Sequence, residues 1–234
     1  MSLEKDGVEV IKGVFTPEEM ERLRDEAYLL EYEQIKGAGY KHEPLEMKGK
    51  YPALVFWPSL INKYIDKLRT DPRLVKIVKK HLGNNVKQIN NQIYYRHAGD
   101  GDQFAWHQYV MFREPERFKN IEDGYLQTII AVDNITEDNG AIEFIPGSHK
   151  TKLKTPDDLR RFVRGDKKGK KYTCKSGDVM IWSVMVVHGS EENISNDSRM
   201  TYMNGFAKAE CVKDYPYYLK DGEIVGKIQA NKIP

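Results

Sequence analysis

Cysteine is scarce in this chain. Cys174 and Cys211 are the two among 234 residues. They stand far apart and neither belongs to a CxxC pair, so a disulfide framework is excluded, and reduced thiols in a cytoplasmic setting are the expectation. Long apolar runs are also missing. Nowhere do eighteen apolar residues follow one another, and the opening MSLEKDGVEV has no apolar stretch of the signal-peptide kind, so neither a membrane span nor a secretory signal is expected. Charge of one sign is lacking too: 37 Lys and Arg stand against 35 Asp and Glu, a net +2. That balance gives no electrostatic case for nucleic acid or a membrane surface as obligate partner, and leaves a small molecule as the expected one. There is no internal repeat and no low-complexity linker.

The length suits one all-β domain with helical additions. The expected division is a helical preface over about 1–85, a core over about 86–207 and a C-terminal extension over 208–234. In FTPEEMERLRDEAYLLEY, Thr16 is placed to cap, Pro17 to open and Glu19 to complete a capping box, while Met20, Leu23, Ala27 and Leu30 recur at helical spacing. Further helices are expected around Leu60 to Leu68 and from Asp71 to about Leu82, the latter closed by Gly83.

From residue 86 the period changes to two. VKQINNQIYYR places Asn90, Gln92, Tyr94 and Arg96 on one face and Ile89, Asn91, Ile93 and Tyr95 on the other. YLQTIIAVDN, AIEFIP, KKYTC, GDVMIWS, VMVVHGS and RMTYMNGFA follow, separated by turn signals. Helices followed by many short strands argue for an antiparallel sandwich or open barrel rather than βαβ units. The longest polar interruption, between Pro146 and Tyr172, carries Lys167, Lys168, Lys170 and Lys171. It reads as a solvated excursion or, functionally, as a lid that helps recognise an anion.

Three features in the strand region carry chemistry: His107 in WHQY, His188 in VVHGS and Arg199 in SNDSRM. Two imidazoles brought together offer neutral nitrogen ligands suited to a divalent first-row metal. An arginine eleven positions after the second histidine can return to the same end of the fold and grip a carboxylate with its planar fork. Metal plus carboxylate clamp points to a keto-acid cosubstrate. His42, His81, His97 and His149 lack such surroundings and read as structural or surface residues.

From about residue 88 to 207 the chain resembles the phytanoyl-CoA dioxygenase family of Fe(II)/2-oxoglutarate oxygenases. The resemblance rests on WHQY, YLQTIIAVDNITEDNGAIEFIPGSHK and SGDVMIWSVMVVHGSEENISNDSRMTYMNGFA. It implies a mainly β fold, a double-stranded β-helix or jelly roll, with the N-terminal helices packed on the sheet. It implies His107 and His188 as iron ligands, Arg199 as partner of the distal carboxylate of 2-oxoglutarate, and Ser190 as a hydroxyl contact to that carboxylate. Gln92 and Tyr94 lie on the strand before the first ligand, where related enzymes place polar side chains for cosubstrate and substrate. Fe(II), 2-oxoglutarate and O2 are the implied cofactors, and the implied reaction is hydroxylation of a small polar metabolite with release of succinate and carbon dioxide. Arg96 and the basic 164–171 region favour an anionic one. Gln127 faces either inward or to the surface, and Trp106 reads as wall packing.

The family normally reads His-x-Asp at the first motif, and here the third residue is Tyr109. Tyr109 itself is one candidate ligand, since a bound cation favours the phenolate. A second reading leaves two histidines and an exogenous ligand, as in halogenating relatives, although a tyrosine would fill the vacancy. A third looks to Asp102, Glu114, Glu122 or Asp123, none of which has the spacing of a strand-borne ligand. The fourth is a weakened site or a non-catalytic metal- or 2-oxoglutarate-binding protein.

Overall fold

The computed structural model describes residues 2–30, 47–48, 51–52, 54–99, 101, 103–151, 153, 155–164 and 169–233. His42, Asp102, Lys167 and Lys168 lie outside the described residues. The helices are α1 (Leu3–Asp6), α2 (Pro17–Tyr28), α3 (Lys63–Arg69), α4 (Pro72–Leu82) and α5 (Pro156–Arg164). The strands are β1 (Val8–Ile11), β2 (Met47–Lys48), β3 (Tyr51–Pro52), β4 (Leu54–Phe56), β5 (Val86–Arg96), β6 (Phe104–His107), β7 (Tyr125–Ala131), β8 (Ile142–Phe144), β9 (Lys170–Tyr172), β10 (Val179–Ser183), β11 (His188–Ser190), β12 (Arg199–Lys208), β13 (Tyr217–Lys220) and β14 (Glu223–Ile224).

The strands form a large antiparallel sheet, β1-β10-β7-β12-β5-β13-β14 with β4 also on β5, and a smaller one, β6-β11-β8-β9. This is the jelly roll that the resemblance implied. The alternation along the strands sorts the large sheet's two faces. Ile130, Ile181, Met200 and Tyr202 turn outward into one core with Met20, Leu23, Leu68, Leu74 and Val78 of the helices. Ile129, Met180 and Trp182 turn inward to meet Phe144 and Tyr172 of the small sheet. Every residue of β7 is buried, because helices cover one face of its sheet and the small sheet the other.

Local chemistry sets the helix ends. Thr16 Oγ1 accepts from the Glu19 amide at 3.3 Å while Glu19 Oε2 accepts from the Thr16 amide at 2.9 Å, the reciprocal box read from the sequence. The helix expected from Leu60 begins instead at Lys63, because a 3-10 turn over Pro58–Leu60 precedes it and Asn62 Oδ1 caps it by accepting from the amides of Tyr64 and Ile65. The polar interruption is also more ordered than expected. Thr155 and Asp158 form a second reciprocal box, at 3.0 and 3.1 Å, that opens α5. That helix lays Leu159, Phe162 and Val163 against a cluster containing Trp106 and Met111. In the apolar run VMVVHGS, Val184 to Val187 form a buried turn, with the Met185 amide on Ser183 Oγ at 3.2 Å, and the strand starts at His188.

Candidate active site

β6 and β11 are neighbours, and His107 lies directly opposite His188. Their ring centroids are 4.2 Å apart. The same device orients both rings. His107 Nδ1–H donates to the carbonyl of Ala105 at 2.8 Å, and His188 Nδ1–H donates to that of Val186 at 2.9 Å, each two residues upstream. A carbonyl can only accept, so Nδ1 carries the proton and Nε2 of each neutral ring keeps its lone pair. Phe144 stacks on His188 at 5.5 Å and Trp182 meets its edge at 5.8 Å. Gln108, fully buried between His107 and Tyr109, anchors the corner by donating to the carbonyls of Met185 (2.6 Å) and Thr151 (2.8 Å).

Burial pushes His107 below the usual imidazole range. It pushes His188 down to about 3, with the neighbouring His107 adding to the effect. These are folded-state values below the unfolded one, so the stabilisation is complete above the unfolded imidazole pKa of about 6.5 and is lost as pH falls toward the folded value. The metal-free protein is therefore expected to lose on the order of 4 kcal/mol between about pH 6.5 and 3 from His188 alone. Thermal melts across that range check this: the acid slope should flatten in His188→Gln, and an equal slope in both proteins would contradict it.

The other end of the site is cationic. Arg199 and Arg96 are cross-strand partners on β12 and β5, and both are buried. Arg199 Nη2 and Arg96 Nη1 both donate to the Gly140 carbonyl, at 3.0 and 3.2 Å. Arg199 Nε adds a bond to the Asn139 carbonyl at 3.3 Å, and Arg96 Nη1 reaches Ser190 Oγ at 3.0 Å. Burial, and then the charge of Arg96, lower Arg199 to about 9. Among the described residues no carboxylate lies within ion-pair distance of Arg199, and a planar guanidinium so placed suits a carboxylate. Gly140 lets the arginines approach: it sits at φ +81°, and a Cβ there would lie 2.6 Å from Arg96 Nη1. Gly140→Ala should weaken dicarboxylate binding by about tenfold or more through displacement of the clamp. Calorimetric titration with 2-oxoglutarate checks it, and unchanged affinity would contradict it.

Between these ends, the two sheets enclose a cavity of about 540 Å³ lined by both histidines, both arginines, Tyr94 and Tyr109. Tyr94 faces it as expected, and burial raises the pKa of its hydroxyl, which stays a neutral donor. Gln92 is buried but does not line the cavity, and its Oε1 has no partner among the described residues. Gln127 is fully buried, and its Nε2 donates to Tyr125 Oη at 3.0 Å. Trp106 both lines the cavity and packs in the α5 cluster.

Tyr109 opens a 3-10 turn just beyond β6. Its hydroxyl accepts from Asn90 Nδ2 at 3.3 Å, and the Arg113 guanidinium lies 4.4 Å over its ring. Arg113 also donates to Tyr125 Oη at 2.8 Å. Among the acids considered as substitutes, Glu114 pairs with Arg117 at 2.9 Å, while Glu122 and Asp123 line a separate cavity. No group of three His, Cys, Asp or Glu side chains suited to a metal occurs among the described residues. The donor set thus fits a divalent cation at two positions, the imidazole Nε2 atoms, with Tyr109 standing where a third would be sought. The two arginines and Ser190 fit a carboxylate. Sequence reasoning placed Arg96 with the substrate and overlooked the Asn139-Gly140 carbonyls, although the DNG turn was a signal for them.

The family profile described as Phytanoyl-CoA dioxygenase (PhyH) matches residues 3–201. The chain belongs to this family, a class of iron- and 2-oxoglutarate-dependent dioxygenases. Among relatives, a probable alpha-ketoglutarate-dependent hypophosphite dioxygenase of Stutzerimonas stutzeri is 26% identical over 88% of this chain and 76% of its own length. The ectoine dioxygenase of Bordetella bronchiseptica is 24% identical over 93% and 77%. Of solved structures, EctD from S. alaskensis with bound Fe superposes with a TM-score of 0.76 at 20% identity, covering 90% of this chain and 76% of that one. The epimerase SnoN in complex with Fe3+, alpha ketoglutarate and nogalamycin RO gives 0.71 at 17% identity, covering 95% and 84%.

Proposed function

We propose that this chain is an Fe(II)/2-oxoglutarate-dependent dioxygenase that hydroxylates a small molecule and releases succinate and carbon dioxide. The observation that carries the reading is one cavity with two oriented neutral imidazoles and, beyond them, the buried Arg199, which has no carboxylate within ion-pair distance among the described residues. His107 and His188 would hold the iron through Nε2. Bound iron supplies the oxidative chemistry with O2 and the keto acid. Arg199 holds the distal carboxylate of 2-oxoglutarate, and Arg96 fixes the Ser190 hydroxyl, leaving its proton to donate to the same carboxylate. Tyr94 offers its phenolic proton to a cavity oxygen, and Gln92 backs the wall behind it. Tyr109, held by Asn90 and Arg113, lines the cavity beside His107 and would offer its phenolic oxygen to the iron.

A non-catalytic binding protein is the competing reading, favoured by the lack of a third His, Cys, Asp or Glu at the site among the described residues. Iron-dependent conversion of 2-oxoglutarate to succinate tests the choice, with Tyr109→Asp run alongside. Turnover by the unaltered chain supports the dioxygenase. A gain of about a hundredfold or more in Tyr109→Asp over a nearly silent parent would mark Tyr109 as a lesion and favour the binding protein.

A further inference from the structure

We infer that the substrate is a neutral, largely apolar molecule that enters between Phe104 and Phe112. The inference rests on the proposed function, in which the two arginines take 2-oxoglutarate. The expectation of an anionic substrate rested on Arg96 and the basic 164–171 region. Arg96 instead lies in the clamp, on Ser190 and the Gly140 carbonyl that it shares with Arg199. Lys171 pairs with Glu191 at 2.6 Å, and Lys170 lies over the Tyr172 ring at 5.7 Å. Residues 165–168 lie outside the described residues.

Once the clamp is assigned to the cosubstrate, the described cavity walls hold no further charged side chain. A charged substrate would therefore lose its hydration without meeting a counter-charge among the described residues. What remains is largely apolar, with Trp106, Leu54, Ile129, Ile142 and Met203 along the walls and only uncharged polar groups, on Gln103, Tyr94, Tyr109 and Thr201, among them. At the rim, Phe104 is 49% exposed and Phe112 is 63% exposed. Large side chains of that kind, left in water beside a cavity, mark a binding face. Their placement gives the entry a direction. The Phe112 ring lies 5.2 Å from His107, and Phe104 lies edge-on to Tyr94 at 6.2 Å with Arg96 5.8 Å above it. Phe112 thus flanks the histidine end and Phe104 the arginine end, so a molecule held between the rings presents its C–H bonds beside His107. The cavity, about 540 Å³, lies within the range of about 300–1,000 Å³ that holds a small molecule.

The test uses two probes of one skeleton, neutral N-phenyl-1-naphthylamine and its sulfonate, 8-anilinonaphthalene-1-sulfonate. Each is titrated into protein saturated with redox-silent Zn(II) and 2-oxoglutarate, and energy transfer from Trp106 and Trp182 is read; 2-oxoglutarate affinity is measured separately by calorimetry. The neutral probe should bind at least about tenfold more tightly than the sulfonate. The Phe104→Ala/Phe112→Ala variant should weaken the neutral probe by at least about tenfold with 2-oxoglutarate affinity unchanged. Arg199→Ala should lose 2-oxoglutarate yet keep the neutral probe. Equal or tighter binding of the sulfonate, or a double variant that binds the neutral probe as before, would overturn the inference. Failure of the unaltered protein to bind 2-oxoglutarate would instead overturn the proposed function, and with it the assignment of the arginines on which this inference rests.

Discussion

Arg199→Ala is expected to weaken 2-oxoglutarate binding by about thirtyfold to several thousandfold, the equivalent of about 2–5 kcal/mol for removing one partner of a buried charge-assisted pair. Arg199 brings a planar fork already braced by the Gly140 and Asn139 carbonyls, so little side-chain freedom remains to be lost when a carboxylate arrives. Arg96 remains in the variant and keeps a weak residual site. Arg199→Lys should recover only part of the affinity, because an ammonium offers a point charge in place of the fork. The ligand-free fold should not suffer. Burial and the neighbouring Arg96 lower the pKa of Arg199, so its charge is a cost to the empty protein. Arg199→Met is accordingly expected to melt at an equal or higher temperature. Calorimetry and thermal melts together check the pair of effects, and affinity within about threefold of the unaltered chain would contradict the clamp.

The second large effect belongs to His188. His188→Ala should weaken divalent-metal binding by more than about a hundredfold, since loss of a partner outside the ligand shell already costs about 10–100-fold. The ring is positioned on three sides, by the Val186 carbonyl, by Phe144 and by Trp182. Removing it leaves His107 as the single imidazole at the site, and one imidazole holds a divalent cation weakly. Equilibrium dialysis with Co(II) or Fe(II) under anaerobic conditions reads the loss. Retention of metal by His188→Ala would place the cation elsewhere.

Some of this architecture was legible in the residues and some was not. Thr16-Glu19 and Asp71-Pro72 announced their helices because capping is local chemistry, completed within one turn. Thr155-Pro156-Asp157-Asp158 carried the same signal but opened a helix so polar that the surrounding lysines and arginines masked it. Val184 to Val187 looked like a strand because a fully buried turn and a fully buried strand share the same apolar composition. At the site, the two histidines and Arg199 stood out by residue type and spacing, while Ser190 came only with the family resemblance. The surroundings that give Arg96 and Tyr109 their roles were not legible. Arg96 meets Ser190 across 94 positions of sequence. Tyr109 is held by Asn90 from β5 and by Arg113, which in turn leans on Tyr125 of β7. Such contacts arise only when the two sheets close, and no periodicity encodes them.

The most direct measurement is anaerobic addition of Fe(II) and 2-oxoglutarate to the metal-free protein, with the visible spectrum recorded. A charge-transfer band should appear only when both are present, and it should be absent from Arg199→Ala and His188→Ala. No band in the unaltered protein, together with no iron retained after gel filtration, would contradict the assignment of this cavity to iron and 2-oxoglutarate.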